Sequence, residues 1–119
     1  MSSVLVVEDN NTIRMMYVAG LEGLGLQVVE ARDLDQARLV LTGPNPPRVV
    51  LLDLRLPGEP GQNLIPFIRK DLGLKDVRII VASAVEHARD DVLALGADDF
   101  VNKPVDFVHL FSVIQQAIR

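Results

Sequence analysis

The chain has 119 residues, a formal net charge of −4 at pH 7 and no cysteine. This length fits one compact domain with its own core, and the lack of cysteine excludes disulfides and thiolate metal sites. No apolar run approaches the ~20 residues of a membrane-spanning helix, and no export signal is recognisable. The composition predicts a soluble, cytoplasmic protein whose acidity disfavours binding to nucleic acid or membrane.

The first third of the chain predicts two strands and two helices. Residues 4–7 form an apolar run typical of a buried strand. Asn10 or Asn11 can cap the helix that follows, and Gly25 is expected to end it. A weaker strand over residues 27–30 precedes a helix capped by Asp33. At helical spacing, the expected inward positions of these helices are Ile13, Met16, Tyr17, Leu21 and Leu24, then Leu34, Ala37, Val40 and Leu41.

The middle of the chain predicts two more strands around a proline-containing helix. Residues 48–53 and 77–82 are apolar runs and are predicted to be strands. A turn-rich loop at residues 57–61 leads into a helix over residues 62–72. Pro66 falls inside that helix, so it must lie near the first turn or kink the helix.

The last third predicts a short helix, a short strand and a terminal helix. The short helix covers residues 86–95 and ends at Gly96. The strand covers residues 100–102, and the last helix begins near Asp106. Their expected inward positions are Val85, Ala88, Val92 and Leu95 in the first helix and Leu110, Phe111, Ile114 and Ile118 in the last.

Five apolar strands alternating with helices predict an α/β fold. Strands too apolar to face water pair in parallel with helices on both sides, which gives a doubly wound five-stranded sheet. Known sheets of this kind include the strand order 2-1-3-4-5, which makes strands one and three neighbours at the ligand-binding switch point. We adopt that order from known folds, since periodicity alone does not specify it.

Polar side chains stand where the central strands end. Glu8 and Asp9 follow strand one, Asp53 ends strand three, Ser83 ends strand four and Lys103 follows strand five. Because parallel strands end at the same edge, these groups are expected to share one crevice. Three carboxylates stay ionised together only around a cation, and oxygen-only ligands with open positions favour Mg²⁺. The pattern therefore indicates a phosphoryl site in which the Lys103 ammonium and the Ser83 hydroxyl contact phosphoryl oxygens.

Each of these residues also has an ordinary structural interpretation. Asp9 can cap the first helix, Asp53 can be a turn residue before Pro57, and the Lys103–Pro104 pair can begin a helix. All these interpretations would have to hold at once, at matching strand ends, for the site to be absent. Their coincidence favours a functional crevice.

At these segments the chain resembles the receiver domains of two-component response regulators. The resemblance lies in residues 6–10, 51–58, 83–84 and 96–104, and it extends over essentially the whole chain. It implies one receiver domain over residues 1–119 with a flavodoxin-like (βα)5 fold. Such a domain is a signalling switch in a phosphorelay. It catalyses its own phosphorylation and dephosphorylation and is not a conventional enzyme.

The resemblance also implies a role for individual residues. Asp53 would be the phospho-acceptor, and Phe100 the aromatic side chain whose rotamer reports phosphorylation. The implied Mg²⁺ ligands are Asp9, Glu8 (directly or through water), Asp53 and the backbone carbonyl of Arg55. The phosphoryl oxygens would be bound by Ser83 and Lys103. The donor would be a phosphohistidine on a sensor histidine kinase or a phosphotransfer protein.

Some features depart from the family and bear on output. Pro60 and Pro66 lie in and after the loop that follows the acceptor, and the stretch 83–103 is slightly short, which trims the fourth helix. Receivers commonly signal through their fourth helix, fifth strand and fifth helix. The last helix has more apolar positions than one inward stripe uses, and the surplus residues are Phe107, Val108 and Val113. This surplus predicts a contact surface for a partner or a second copy of the domain. Alternatively, Phe107 covers only the first turn of its own helix.

Other phosphate-related classes fit less well. A haloacid-dehalogenase-type phosphotransferase needs a second Asp where this chain has Arg55, and an acidic loop after strand one would repel a flavodoxin's phosphate. No Gly-x-x-x-x-Gly-Lys loop is present. The serious alternative is a receiver-fold interaction module that no longer takes phosphate. The intact set of site residues argues against it: Asp9, Asp53, Ser83 and Lys103.

Overall fold

The computed structural model describes residues 3–85 and 88–118. The strands are β1 (Ser3–Val7), β2 (Gln27–Ala31), β3 (Val49–Asp53), β4 (Arg78–Ser83) and β5 (Asp99–Asn102). The helices are α1 (Asn11–Gly23), α2 (Leu34–Leu41), α3 (Leu64–Pro66), α4 (Ala88–Leu95) and α5 (Phe107–Ile118). All strand pairs are parallel and the order is β2-β1-β3-β4-β5. The predicted doubly wound sheet and its strand order are confirmed.

Helices cover both faces of the sheet, as the apolar strands require. Along β1, Leu5 and Val7 face the layer that contains α2, α3 and α4, while Val4 and Val6 face α1 and α5. Alternate residues of one strand therefore pack in opposite layers. Within the described ranges, no helix combines the length and apolarity needed to span a lipid bilayer.

The structure confirms the caps predicted at Asn10 and Asp33 and shows a further cap at Asp106, near which the last helix was predicted to begin. The side chains of Asn10, Asp33 and Asp106 each accept a hydrogen bond from the backbone N–H three residues further on. Gly25 and Gly96, which end α1 and α4, have φ values of +82° and +119°, a backbone region that favours glycine.

The helix predicted over residues 62–72 is irregular. It consists of a 3₁₀ turn at Gly61–Asn63, the α turn α3 and a π turn at Phe67–Asp71. Leu72 N–H donates to the Phe67 carbonyl five residues back, at 2.9 Å. Pro66 lies beyond the first turn and has no N–H to offer, so the hydrogen-bond pattern changes after it.

Three inward positions were predicted wrongly. Met16 and Leu24 of α1 and Leu95 of α4 are exposed. In α1 the buried positions are instead Arg14, Tyr17 and Leu21. The helix is rotated toward Arg14 because a guanidinium can be buried where acceptors surround it. The predicted start of the fourth helix, Glu86, lies outside the described residues.

Candidate functional site

The carboxyl edge of the sheet brings three carboxylates together. Val7 of β1 is opposite Leu52 of β3, so Glu8 and Asp53 follow at the same level on adjacent strands. Glu8 is 2% exposed and Asp53 is 8% exposed, whereas Asp9 is exposed. One carboxylate oxygen from each of the three lies within 4.8 Å of the others.

Lys103 supplies a positive charge to this cluster. Its Nζ lies 3.2 Å from Glu8 Oε1 and 3.4 Å from Asp53 Oδ1. The Lys103 N–H also donates to the Ser83 carbonyl at 2.9 Å, which fixes the residue beside β4. Pro104 follows through a cis peptide bond, and α5 begins only at Phe107, so Lys103–Pro104 does not begin that helix.

The crevice carries more negative than positive charge, and its electrostatics show the imbalance. Burial, followed by the neighbouring Asp53 carboxylate, raises the pKa of Glu8 to about 7, although the Asn10 N–H and Lys103 oppose the shift. Burial, followed by Glu8 and Asp53, likewise raises the pKa of Tyr17 to about 12. Burial disfavours the charged form of the Glu8 carboxyl group, and the negative charge of Asp53 adds to that effect.

Asp53 and Ser83 stand on adjacent strands and are held by nearby backbone. Asp53 is opposite Ala82 in the β3–β4 register, so the buried Ser83 lies one residue further along. The Arg55 N–H donates to Asp53 Oδ1 at 3.2 Å. The Val85 N–H donates to Ser83 Oγ at 3.1 Å, a bond that uses an oxygen lone pair and not the hydroxyl proton.

The loop after Asp53 is fixed by residues that the sequence analysis did not single out. The Gly61 N–H donates to the Leu54 carbonyl at 2.9 Å, and a Cβ at Gly61 would lie 2.3 Å from the Asp53 carbonyl oxygen, so only glycine fits there. The Arg38 guanidinium donates twice to the Glu59 carboxylate, at 2.6 and 3.0 Å. These contacts tie the loop that contains Arg55 to α2.

The residues predicted for output occupy different environments. Phe100 is buried in the layer of α3 and α4. On the other face of the sheet, the Phe107 ring lies 5.6 Å from that of Tyr17, between centroids, and Val113 is partly buried in the same layer, that of α1 and α5. Val108 is 81% exposed. Of the predicted contact residues, Val108 alone is fully presented to solvent.

Arg14 is a site residue that the sequence analysis missed. It is 5% exposed, and its Nη1 donates to the Glu8 carbonyl at 2.9 Å. A sequence signal existed, since Arg14 lies three and seven positions before Tyr17 and Leu21, on the face that α1 buries.

The donor set suits a hard cation. Glu8, Asp9 and Asp53 offer only carboxylate oxygens, which Mg²⁺ prefers over soft ligands. A cation among them would also relieve their mutual repulsion. The residues at this edge therefore fit the predicted metal.

Comparison with known families agrees with the fold. The model of the response regulator receiver domain matches residues 4–115. The chain therefore belongs to the response regulator receiver domain family.

Its relatives are longer proteins. The phosphate regulon transcriptional regulatory protein PhoB of Escherichia coli (strain K12) is 36% identical over 118 residues, which cover 98% of this chain and 51% of that protein. The KDP operon transcriptional regulatory protein KdpE of the same organism is 38% identical over 121 residues, covering 100% and 52%. The chain thus spans about half the length of the curated relatives it matches.

A solved structure gives the same result. The response regulator receiver protein from Pseudomonas putida superimposes with a TM-score of 0.85 at 33% identity, and the match covers 97% of this chain and 96% of that one.

Proposed function

We propose that the chain is one receiver domain over residues 1–119 that acts as a phosphorylation-dependent switch, with Asp53 as the phospho-acceptor. The observation that carries the proposal is the convergence of Glu8, Asp9 and Asp53 within 4.8 Å, with the Lys103 ammonium 3.4 Å from Asp53. The proposed Mg²⁺ ligands are these three carboxylates and the Arg55 carbonyl.

The proposed reaction is an in-line transfer. A carboxylate oxygen of Asp53 forms a bond to phosphorus while the bond from phosphorus to the donor's imidazole nitrogen breaks and the imidazole leaves. Bound Mg²⁺ would supply neutralisation of the charge on the transferring group. Hydrolysis of the acyl phosphate then returns Asp53 to its carboxylate.

Lys103 and Ser83 are proposed to hold the transferred group. In the unmodified protein the Lys103 ammonium lies between Glu8 and Asp53, so it needs little movement to reach an oxygen on phosphorylated Asp53. The Ser83 hydroxyl proton can be donated to a second oxygen.

Output is proposed to follow from the movement of Ser83. The phosphoryl group adds about −1.5 to −2 charge and new acceptor oxygens, which draw Ser83 toward Asp53 and leave space for the Phe100 ring to turn inward. The result is a population shift between two packings of the α4-β5-α5 face. A partner, or a second copy, that prefers one packing then responds to phosphorylation, with Val108 as its exposed contact and Phe107 and Val113 beside it.

The proposed donor is a phosphohistidine on a sensor histidine kinase or phosphotransfer protein in the cytoplasm. PhoB and KdpE are transcriptional regulatory proteins, but this acidic domain is not proposed to bind nucleic acid itself. The alternative, a receiver-fold module that works without phosphate, predicts no chemistry at Asp53.

Intact mass spectrometry distinguishes the two functions. After incubation with acetyl phosphate and Mg²⁺ we expect the wild type to gain the mass of one phosphoryl group, and Asp53→Asn to gain none. Excess chelator should prevent the gain in the wild type. No gain in the wild type, or an equal gain in Asp53→Asn, would contradict the assignment.

The output face has a separate test. The phosphate mimic beryllofluoride with Mg²⁺ should raise the sedimentation mass if the partner is a second copy. Val108→Asp should abolish that rise without unfolding the domain, because Val108 is exposed. Phe107→Asp should also abolish it but at some cost in stability, since Phe107 packs against Tyr17. An unchanged monomer in beryllofluoride would exclude self-association.

A further inference from the structure

The β1–α1 loop carries both Glu8 and Asp9, and one buried cation lies beneath it. Arg14 donates to the Glu8 carbonyl at 2.9 Å and to the Asp9 carbonyl at 3.5 Å. Its other nitrogens donate to Asn11 Oδ1 at 2.6 Å and to Glu30 Oε1 at 2.9 Å. A single guanidinium thus joins the start of α1, the loop and strand β2.

The contacts of Arg14 add to other hydrogen bonds that hold the β1–α1 loop. The Glu8 N–H already donates to the Ala31 carbonyl at 3.0 Å, and the Asn10 N–H donates to Glu8 Oε2 at 3.2 Å. Arg14 engages the two carbonyls that follow the strand, the ones attached to the acidic residues themselves. Rotation of either peptide plane would break one of its bonds and swing a carboxylate away from Asp53.

The contacts of Arg14 depend on the planar shape of its guanidinium group as well as on its charge. Arg14 is 5% exposed, and burying a charge is unfavourable unless its donors are satisfied. A planar fork reaches acceptors in several directions at once, whereas a lysine ammonium is a compact point charge on a flexible stem. Lysine would keep the charge but could not span the four acceptors with the same geometry.

We propose that Arg14 is a positioning residue that holds the backbone of Glu8 and Asp9 so that their carboxylates converge with Asp53, and thereby sets the metal affinity of the crevice. This inference rests on the proposed function only for the identity of the metal. The contacts of Arg14 are made to the chain's own atoms, so they can be tested without metal.

The first test is made without metal. Amide hydrogen exchange of residues 8–11 should be about tenfold faster in Arg14→Lys than in the wild type, because local opening no longer breaks the guanidinium contacts. Exchange in β3 and β4 should be unchanged, which shows that the fold is intact. A second variant, Arg14→Met, removes the charge as well as the shape of the guanidinium. Its matched control is Arg32→Met, which removes the same charge from an exposed position after β2.

The second test uses Mg²⁺ alone. By calorimetry, Arg14→Lys and Arg14→Met should bind Mg²⁺ about 10- to 100-fold more weakly than the wild type, the range typical of groups that orient metal ligands. Arg32→Met should bind as the wild type does. With acetyl phosphate, the Mg²⁺ concentration for half-maximal phosphorylation should rise by the same factor, while the rate at saturating Mg²⁺ stays near that of the wild type. A loss of folded protein alone would lower the rate without moving that concentration.

If the Arg14 variants do not fold, Asn11→Ala/Glu30→Met removes the two side-chain acceptors that orient the guanidinium and leaves Arg14 in place. It should weaken Mg²⁺ binding in the same direction. The inference would be overturned if folded Arg14→Lys exchanged its loop amides and bound Mg²⁺ as the wild type does. If only the double variant folds, the same result in that variant would overturn it.

The two proposals fail separately. If the wild type takes no phosphoryl group but Arg14→Lys still loosens the loop and weakens Mg²⁺ binding, the positioning role stands and the proposed function falls. If the wild type is phosphorylated but Arg14→Lys has the Mg²⁺ dependence of the wild type, the proposed function stands and the positioning role of Arg14 falls.

Discussion

Two clusters of charged side chains lie at opposite edges of the same sheet, and they differ in how completely the chain itself supplies hydrogen-bond partners for their charges. At the carboxyl edge, the Lys103 ammonium faces both Glu8 and Asp53, with Asp9 beside them. At the amino edge, Arg69 and Asp98 form a network before β4 and β5.

The amino-edge network is saturated. Arg69 donates to the Asp98 carboxylate at 2.8 Å and to three backbone carbonyls at 2.7–3.0 Å. Asp98 also accepts from the Ile79 N–H at 2.8 Å and from Arg78 at 3.3 Å. Arg69 and Asp98 each have several partners within the chain, so we assign this cluster a structural role.

The carboxyl edge is the opposite case. Its three carboxylates face one ammonium. The pKa of Glu8 is raised to about 7, first by burial and then by the neighbouring Asp53 carboxylate. A charged cluster that serves structure is completed by the chain itself, whereas a cluster that serves binding is left to be completed by an ion. The substitutions below are expected to separate these two kinds of site, first through stability and then through binding.

The largest effect on stability is expected at the saturated cluster. Arg69→Met should lower the free energy of unfolding by about 3 kcal/mol, because it leaves Asp98 and several backbone carbonyls without their donor. Denaturant titration measures this. Arg78→Met is the matched control, since Arg78 is a more exposed partner of the same carboxylate, and it should cost no more than about 1 kcal/mol. Equal losses would show that Arg69 is not the centre of the network.

At the carboxyl edge the expected effect is on binding. Asp9→Ala should weaken Mg²⁺ binding by at least about tenfold, ~1.4 kcal/mol, and slow phosphorylation, while the metal-free fold is unchanged or slightly stabilised by reduced repulsion. Calorimetry and denaturant titration give the two quantities. Asp76→Ala, which removes an exposed carboxylate from the loop before β4, should change neither. Phosphorylation of the wild type at an undiminished rate in excess chelator would refute the metal's role.

A smaller change is expected from Lys103→Arg. The charge remains, so phosphorylation should survive, but a planar guanidinium does not replace the compact ammonium between Glu8 and the phosphoryl group. Amide exchange in α4 and β5, compared with and without beryllofluoride, should show a weaker response than in the wild type. Equal responses would count against a role for Lys103 in output.

The smallest effect is expected at the partly exposed pair Arg38–Glu59. Hydrogen bonds from Arg38 and then Asn63 lower the pKa of Glu59 from 4.5 to about 2. A lowered folded-state pKa stabilises the protein above the unfolded value, so this contribution is complete above pH 4.5 and is lost as the pH falls toward 2. The stability difference between wild type and Glu59→Gln should shrink over that range. A stability difference between wild type and Glu59→Gln that does not vary with pH would contradict the lowered pKa of Glu59.

Much of the site was predictable because it depends on topology and local pattern. Apolar runs locate the strands, and parallel strands end at one edge, so Glu8, Asp9, Asp53 and Lys103 had to approach one another once β1 and β3 were neighbours. The capping roles of Asn10 and Asp33 follow from contacts three residues apart, which sequence spacing specifies directly.

Spacing places Arg14 on the buried face of α1, but it does not specify the contacts that allow the missed residues to be buried. Arg14 and Arg69 are buried because backbone carbonyls from several elements surround their guanidinium groups. Such acceptors exist at every residue and leave no mark in the sequence. Pro66 signalled an irregularity, but the π turn after it depends on packing.

The central claim, that the carboxyl edge is left for a cation to complete, is tested most directly by measuring the free energy of unfolding with and without Mg²⁺. At about 100 times its dissociation constant, Mg²⁺ should stabilise the wild type by about 2.7 kcal/mol. Arg78→Met should gain the same increment, since its cluster is already saturated, and Asp9→Ala should gain clearly less at the same Mg²⁺ concentration. No increment in the wild type, or equal increments in the wild type and Asp9→Ala, would contradict the claim.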